Sequence, residues 1–332
     1  MKINSLNNKN ILITGGTGSF GNKFVELTLK YQKPNKLVIF SRDEMKQWEM
    51  AKKFENDKRV RFFLGDVRDK NRLNRALDGI DLVVHAAATK IVPTAEYNPF
   101  EAVKTNIFGC MNLIDVAIDR NISKVVALST DKASNPINLY GATKLAADKL
   151  FSASNAYSGY HNTKFSVVRY GNVMGSRGSI IPFFLEQTKK KIFTLTDERM
   201  TRFMMTLEQA VKLVWKSLDD MKGGEMYVVK APSMKIIDII KSFSSKPKIK
   251  IIGIRPGEKI HEQMISLEES PYTYEYNEYF KILPQVSDNY KKYKVSKKNL
   301  VRKDFFYRSD TNEMWMKKID LQKWIKKNYP YK

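Results

Sequence analysis

Four residues are placed to do chemistry. Asp131 and Lys132 follow a hydrophobic run, KVVALS (124–129), that reads as a buried strand. Tyr140 and Lys144 lie four apart at the start of a long helical pattern, LYGATKLAADKLFSAS, so both side chains leave one helix face. An ammonium near a phenol favours the phenolate, which predicts a lowered tyrosine pKa and a base usable near neutral pH. Asp131 and Lys132 fall at the carboxyl end of their strand, where open α/β sheets bind ligands. A tyrosine and a lysine at this spacing also occur on ordinary surface helices, so the surrounding elements must decide.

Those elements begin near the start of the chain. KNILIT (9–14) reads as a buried strand, GGTGSFG follows at once, and NKFVELTLKY (22–31) has helical spacing. Gly15, Gly18 and Gly21 form a glycine turn between strand and helix, the order a dinucleotide pyrophosphate site requires. The helix start offers free N–H donors to the phosphates. A second strand, KLVIF (36–40), ends in Ser41, Arg42, Asp43 and Glu44, with Lys46 one turn on. A carboxylate here suits the ribose 2′-hydroxyl of NAD, an arginine the 2′-phosphate of NADP, and Arg42 favours NADP. Asp43 and Glu44 also fit a plain helix start rich in acids.

Further strands, RVRFFLGD (59–66), IDLVVHAAA (80–88) and FSVVRYGNV (165–173), alternate with helices at 70–77 and 100–119. This alternation predicts an α/β fold: a Rossmann-type, doubly wound parallel sheet with a smaller, interleaved C-terminal substrate-binding lobe. The expected division is 1–172 and 206–231 for the nucleotide-binding domain, with 173–205 and 232–332 for the lobe. Asp66 and Val67 end the third strand, where an adenine amino group finds an acceptor. Ala86 ends the fourth and is small enough to pass close to a cofactor.

Composition narrows the classes. With 332 residues, 42% hydrophobic and 28% charged, the chain is long enough for a well-filled globular core. No apolar run approaches the ~18 residues of a membrane helix. The start is polar and lacks a signal-peptide core, and the single cysteine, Cys110, suits a reducing compartment, so a cytoplasmic protein is expected. Cys110 itself reads as an apolar filler. The three histidines are dispersed, and no metal is expected. A net charge of +23 raises nucleic acid as a partner, but the lysines are spread over the chain, and a positive field also attracts anionic nucleotides.

The motifs TGGTGSFG, SRDEMKQ, GDVRD, HAAATKIVPTAEYNP, LSTDKASNPINLYGATK, RYGNVMGSRGS, MTRF, GIRPGEKIHE and YRSDTNEMW run in order along nearly the whole chain. Together they resemble the extended short-chain dehydrogenase/reductases. Within these, the chain is similar to the configuration-inverting UDP-N-acetylglucosamine 4,6-dehydratases of pseudaminic acid biosynthesis. It departs at Thr89 and Ile91, where that family more often has Met or Leu before the lysine and His after it.

The resemblance implies a hydro-lyase that oxidises C4, eliminates water across C5 and C6 and returns the hydride to C6. Tyr140, assisted by Lys144, takes the C4 hydroxyl proton, Asp131 protonates the leaving oxygen and Lys132 removes the C5 proton. Burial would lower the Lys132 pKa and Asp131 would raise it, and the sequence leaves that balance open. Ser129 and Thr130 are candidates to bond the C4 oxygen. For a tightly held, recycled NADP the resemblance implies Thr17, Gly18, Ser19, Phe20, Ser41 to Lys46, Asp66, Val67, Ala86, Lys90, Lys104 and Val173. For UDP-N-acetylglucosamine it implies Lys90, Thr130, Asn172, Thr196, Arg202, Arg255 and Glu258. It also implies a homo-oligomer, with a hexamer as one form.

Two other functions fit parts of the sequence. A UDP-sugar epimerase also starts by oxidising C4, but has no use for a lysine beside Asp131. A basic, NADP-bound nucleic-acid-binding or regulatory protein uses the charge and leaves Tyr140 and Lys144 unexplained.

Overall fold

Short apolar runs without polar alternation form the centre of the protein, as strands covered on both faces require. The computed structural model describes residues 4–285 and 290–330. Its first half alternates strand and helix: β1 (Asn10–Thr14), α1 (Ser19–Tyr31), β2 (Lys36–Ser41), α2 (Glu44–Phe54), β3 (Val60–Leu64), α3 (Lys70–Ala76) and β4 (Leu82–His85). Then come α4 (Val92–Tyr97), α5 (Pro99–Val103), a π-turn (Lys104–Phe108), α6 (Gly109–Asp119), β5 (Lys124–Thr130), α7 (Leu139–Ala153) and β6 (Lys164–Tyr170). The helix expected over 100–119 is therefore interrupted by one wide turn.

The second half holds β7 (Asn172–Val173), α8 (Ile180–Lys190), β8 (Ile192–Leu195), β9 (Thr201–Met205), α9 (Leu207–Asp220), β10 (Met226–Val229), β11 (Ser233–Lys235) and α10 (Ile236–Phe243). The chain ends through β12 (Lys248–Ile251), β13 (Gln263–Ile265), β14 (Thr273–Glu275), β15 (Tyr279–Ile282), β16 (Tyr307–Arg308) and α11 (Lys318–Asn328).

The large sheet has the order β14-β15-β10-β6-β5-β4-β1-β2-β3. From β10 to β3 all neighbours are parallel. The order reverses between β1 and β4, and a crevice opens at the carboxyl ends of the strands there. Val211, Val214, Trp215 and Leu218 of α9 pack with Phe24 of α1 on one sheet face, against Ile11, Ile13, Leu37 and Ile39. Leu113, Ile114 and Val116 of α6 and Phe151 of α7 cover the other face, against Leu12, Val38 and Val83.

A separate core joins Ile181, Phe184, Phe193, Met204, Ile239, Ile240 and Leu321, and this is the smaller lobe. The sequence division placed all of 232–332 in that lobe. In the structure β14 and β15 instead pair antiparallel onto β10 and widen the large sheet. Their aromatic-rich segment, 272–280, buries Phe280 against Phe305 and Tyr307, which ties it to the main core.

Candidate active site

The crevice is a cleft of about 680 Å³ that the glycine turn, the ends of β2 to β6 and the loop after β7 enclose. At the glycine turn the backbone itself excludes side chains. Gly15 has φ +63°, and a Cβ there would lie 2.8 Å from the Ala87 backbone. A Cβ on Gly21 would lie 2.2 Å from the Gly16 carbonyl oxygen, so only glycine lets α1 start this close to the strand. Gly18 caps α1 without a side-chain bond, which leaves the helix start open to the cleft. Thr17, Ser19 and Phe20 line the same wall.

Ser41, Arg42, Asp43 and Lys46 line the far end of the cleft. Asp43 is committed locally: it accepts from the Lys46 backbone N–H at 3.0 Å as the cap of α2, and pairs with the Lys46 ammonium. Arg42 is 61% exposed and lies 3.5 Å from Asp66, which Arg68 holds more closely at 2.7 Å. Glu44 lies in the first turn of α2, exposed and outside the cleft lining. Val67, Ala86, Lys90, Asn172 and Val173 all line the cleft.

Lys104 does not reach the cleft. It opens the π-turn, and its Nζ lies 3.3 Å from Glu101 on the outer side. The wide turn shifts the helix phase, so Thr105 lines the cleft in its place, while Asn106 turns inward to bond Thr89 and Thr143.

The chemical centre forms where β5 gives way to α7. Thr130 ends the strand, and a 3-10 turn, Asp131–Ala133, carries the chain away. Asn138 caps α7 by accepting from the Gly141 N–H at 2.8 Å, which fixes Tyr140 and Lys144 in the first two turns. Tyr140 is hydrogen-bonded to Thr130, and burial pushes its phenol up to about 12, against a smaller pull from the Lys132 ammonium. The depressed tyrosine pKa expected from the spacing is thus corrected. The Lys144 Nζ is spent on the Leu128 carbonyl at 2.6 Å, and burial dominates at Tyr140.

Ser129 lines the cleft, and its side chain is engaged behind it. Its hydroxyl donates to Asp148 at 2.8 Å, and Asp148 in turn pairs with the buried Arg169 at 3.3 Å. Thr130 donates to Asp131 Oδ1 at 3.0 Å. Asp131 is fully buried; burial lifts its carboxyl above the ordinary range against the pull of Lys132, and Glu262 adds to the lift. Its Oδ2 has no hydrogen-bond partner. Lys132 Nζ lies 3.0 Å from Asp131 Oδ1 and 3.0 Å from Glu262 Oε1. Desolvation opposes its charge, but the two carboxylates outweigh that and hold it above the ordinary lysine range. The balance that the sequence left open falls to the ammonium.

Four residues expected at the nucleotide sugar stand outside the cleft lining. Arg202 on β9 is buried, donates to the Thr201 and Ile260 carbonyls, and its Nε lies 3.8 Å from Glu262. Thr196 is half-buried just past β8. Arg255 is exposed on the turn after β12, and that turn rests on α7 through the Asn138 side chain, which donates to the Gly257 carbonyl at 2.8 Å. Glu258 keeps a buried, unpartnered Oε2 at the end of this turn.

Sequence reading missed Glu262, the last residue of GIRPGEKIHE, because nothing in its spacing links it to Lys132. It also missed Asp148, whose place one turn beyond Lys144 on α7 is a legible signal. Arg177 was missed as well; its N–H donates to Ser19 and its carbonyl accepts from Lys90, so the 176–179 loop straps the cleft. Cys110 is buried with its thiol pushed up to about 11, as an inert filler requires. Among the described residues no group of ligands could hold a metal, and no helix is long and apolar enough to cross a membrane.

A Rossmann sheet with a glycine turn, a Tyr-x-x-x-Lys helix and an interleaved lobe defines an extended short-chain dehydrogenase/reductase. Comparison with known proteins narrows this. Residues 11–284 match the family described as polysaccharide biosynthesis protein, and the chain belongs to that family. A relative from Campylobacter jejuni named UDP-N-acetylglucosamine 4,6-dehydratase (inverting) is 50% identical over 323 residues, 95% of this chain and 96% of its own length. A relative from Rickettsia canadensis named UDP-glucose 4-epimerase is 42% identical over 297 residues, covering 86% of each chain. The X-ray structure of Pen from Bacillus thuringiensis superimposes with a TM-score of 0.88 and 38% identity, over 96% of this chain and 98% of that one. More distant solved structures of the same fold hold NAD.

Proposed function

We propose that this chain is a UDP-N-acetylglucosamine 4,6-dehydratase that inverts C5, yielding UDP-2-acetamido-2,6-dideoxy-β-L-arabino-hex-4-ulose for nucleotide-sugar biosynthesis of the pseudaminic acid type. The observation that carries the reading is the Asp131–Lys132 pair. A carboxyl lifted by burial and an amine 3.0 Å away open on the same cleft as Tyr140. An epimerase needs only the tyrosine; loss of water needs an acid and a base as well. The inverting relative, 50% identical, is not a fragment match, since it aligns over 96% of its length.

The cleft residues fit a nicotinamide dinucleotide, because the side-chain-free glycine turn and the open start of α1 provide a pyrophosphate cradle. When bound, the nicotinamide supplies a hydride acceptor at C4 and later the same hydride for C6. The chain does the rest. Tyr140 takes the C4 hydroxyl proton, Asp131 donates a proton to the C6 oxygen as it leaves, and Lys132 withdraws the proton from C5; once hydride is returned to C6, a proton is replaced at C5 on the other ring face, which inverts that centre. Oxidation of C4 makes that C5 proton acidic and places the C6 oxygen β to a carbonyl. We assign the cofactor as NADP: Arg42 and Lys46 bring positive charge to the end of β2, and Asp43 is occupied as a helix cap.

Arg202, Arg255, Thr196 and Glu258 belong in this reading to the outer part of the nucleotide-sugar site. A homo-oligomer, with a hexamer as one form, and a cytoplasmic setting complete it.

The reading is tested by mass spectrometry of UDP-N-acetylglucosamine incubated with the purified protein and no added reductant. A product lighter by one water is expected. The Rickettsia relative favours a second reading, a UDP-sugar 4-epimerase. That enzyme leaves the mass unchanged and yields an isomer.

A further inference from the structure

Lys132 meets a conflict that one neighbour resolves. An amine withdraws a proton from carbon only when it is neutral, yet two carboxylates flank Nζ at 3.0 Å each. Asp131 faces the cleft, where it serves the leaving oxygen. Glu262 is 2% exposed and stands behind the cleft, outside its lining. Its Oε1 meets Lys132, and its Oε2 is buried with no hydrogen-bond partner. Burial disfavours its charge, but Lys132 and Arg202 outweigh that and hold its carboxyl below the ordinary range, so it accepts a proton only when that balance changes.

We propose that Glu262 takes the Lys132 proton, so that Lys132 meets the sugar C5–H as a free amine. This positioning role rests on the dehydratase reading above. The step is one proton transfer: an N–H bond of Nζ breaks, an O–H bond forms on Glu262, and no electrons change hands. It turns a charged pair into a neutral one, which desolvation of the cleft by substrate favours. The groups facing the pair are Asp131 at the strand end, Arg202 on β9, Lys259 on the Glu262 segment and Tyr140 on α7. Arg202 and Lys259 keep Glu262 charged at rest, so the transfer accompanies ligand binding.

The test follows two events with UDP-N-acetylglucosamine in deuterated water: reduction of bound cofactor, which reports C4 oxidation, and entry of solvent deuterium at C5. Wild-type enzyme must show both; if it shows neither, the dehydratase reading fails before any variant is read. The Glu262→Gln variant keeps the side-chain shape but offers no acceptor. It is expected to oxidise C4 while C5 exchange falls about a hundredfold. Its pH limb belonging to Lys132 moves to lower pH, because one of two carboxylates is gone. A purely structural residue would leave that limb in place, and a residue that only tuned charge would speed exchange. Glu262→Asp, which moves the acceptor back by one carbon, is expected to lose exchange selectively but less, and it serves alone if the Gln variant does not fold. Undiminished or faster exchange, or equal loss of both events in the folded variants, overturns the proposal.

Discussion

Asp131 and Lys132 are adjacent in sequence, yet their side chains meet at 3.0 Å over one cleft. Successive residues of a strand point to opposite faces. The meeting is possible because β5 stops at Thr130 and the next three residues form a 3-10 turn. Acid and amine therefore open together on one cleft. The Lys132→Met variant is expected to reduce bound cofactor with substrate but to lose water elimination by about a hundredfold or more. Rapid-mixing absorbance and product mass read the two steps separately. Equal loss of both would count against a base role.

In the proposed reaction Tyr140 must ionise to accept the C4 proton, and burial, with smaller contributions from Asp131 and Asp148, pushes it up to about 12. A positive charge in the cleft favours the phenolate, so the group should titrate lower once oxidised cofactor is bound. Ultraviolet difference titration of wild type against Tyr140→Phe isolates this phenol. The expected sign is a lower midpoint with oxidised NADP than without it, and cofactor reduction absent from the Phe variant. A midpoint that stays put would contradict the assignment.

The proposed preference for a 2′-phosphate rests on Arg42. Loss of one hydrogen bond to a charged group costs roughly 1.5–3 kcal/mol, or about ten- to a hundredfold in affinity. Arg42→Ala should weaken NADP by that much and leave NAD nearly unchanged in fluorescence titrations. Equal weakening of both cofactors would remove the arginine from this role.

Arg169 lies under the site with 1% of its side chain exposed, between Asp148 at 3.3 Å and Glu269 at 2.9 Å. Arg169→Met strands two carboxylates, and breaking a buried pair this way costs about 3–5 kcal/mol. Urea unfolding is expected to show that loss. A change below about 1 kcal/mol, the size of a surface pair, would mean the network bears little on stability.

The sheet was largely legible because its strands are continuous apolar runs and its turns are marked by glycine. Asp131, Lys132, Tyr140 and Lys144 could be singled out because they are close in sequence, and all four line the cleft. What sequence could not convey is which partner each charge finds across the fold. Glu262 reaches Lys132 from 130 positions away, and Lys144 turns to the Leu128 carbonyl rather than acting on Tyr140 through charge alone. The resemblance alone pointed to Lys104, and the π-turn that leaves it outside the cleft lining is not visible in helical periodicity. The hairpin of β14 and β15 was assigned to the lobe because strand pairing is set by contacts distant in sequence.

The most direct measurement uses UDP-N-acetylglucosamine carrying deuterium at C4. Internal hydride recycling with loss of water predicts a 4-keto product with the label moved to C6. Label kept at C4, or washed out to solvent without appearing at C6, would contradict it.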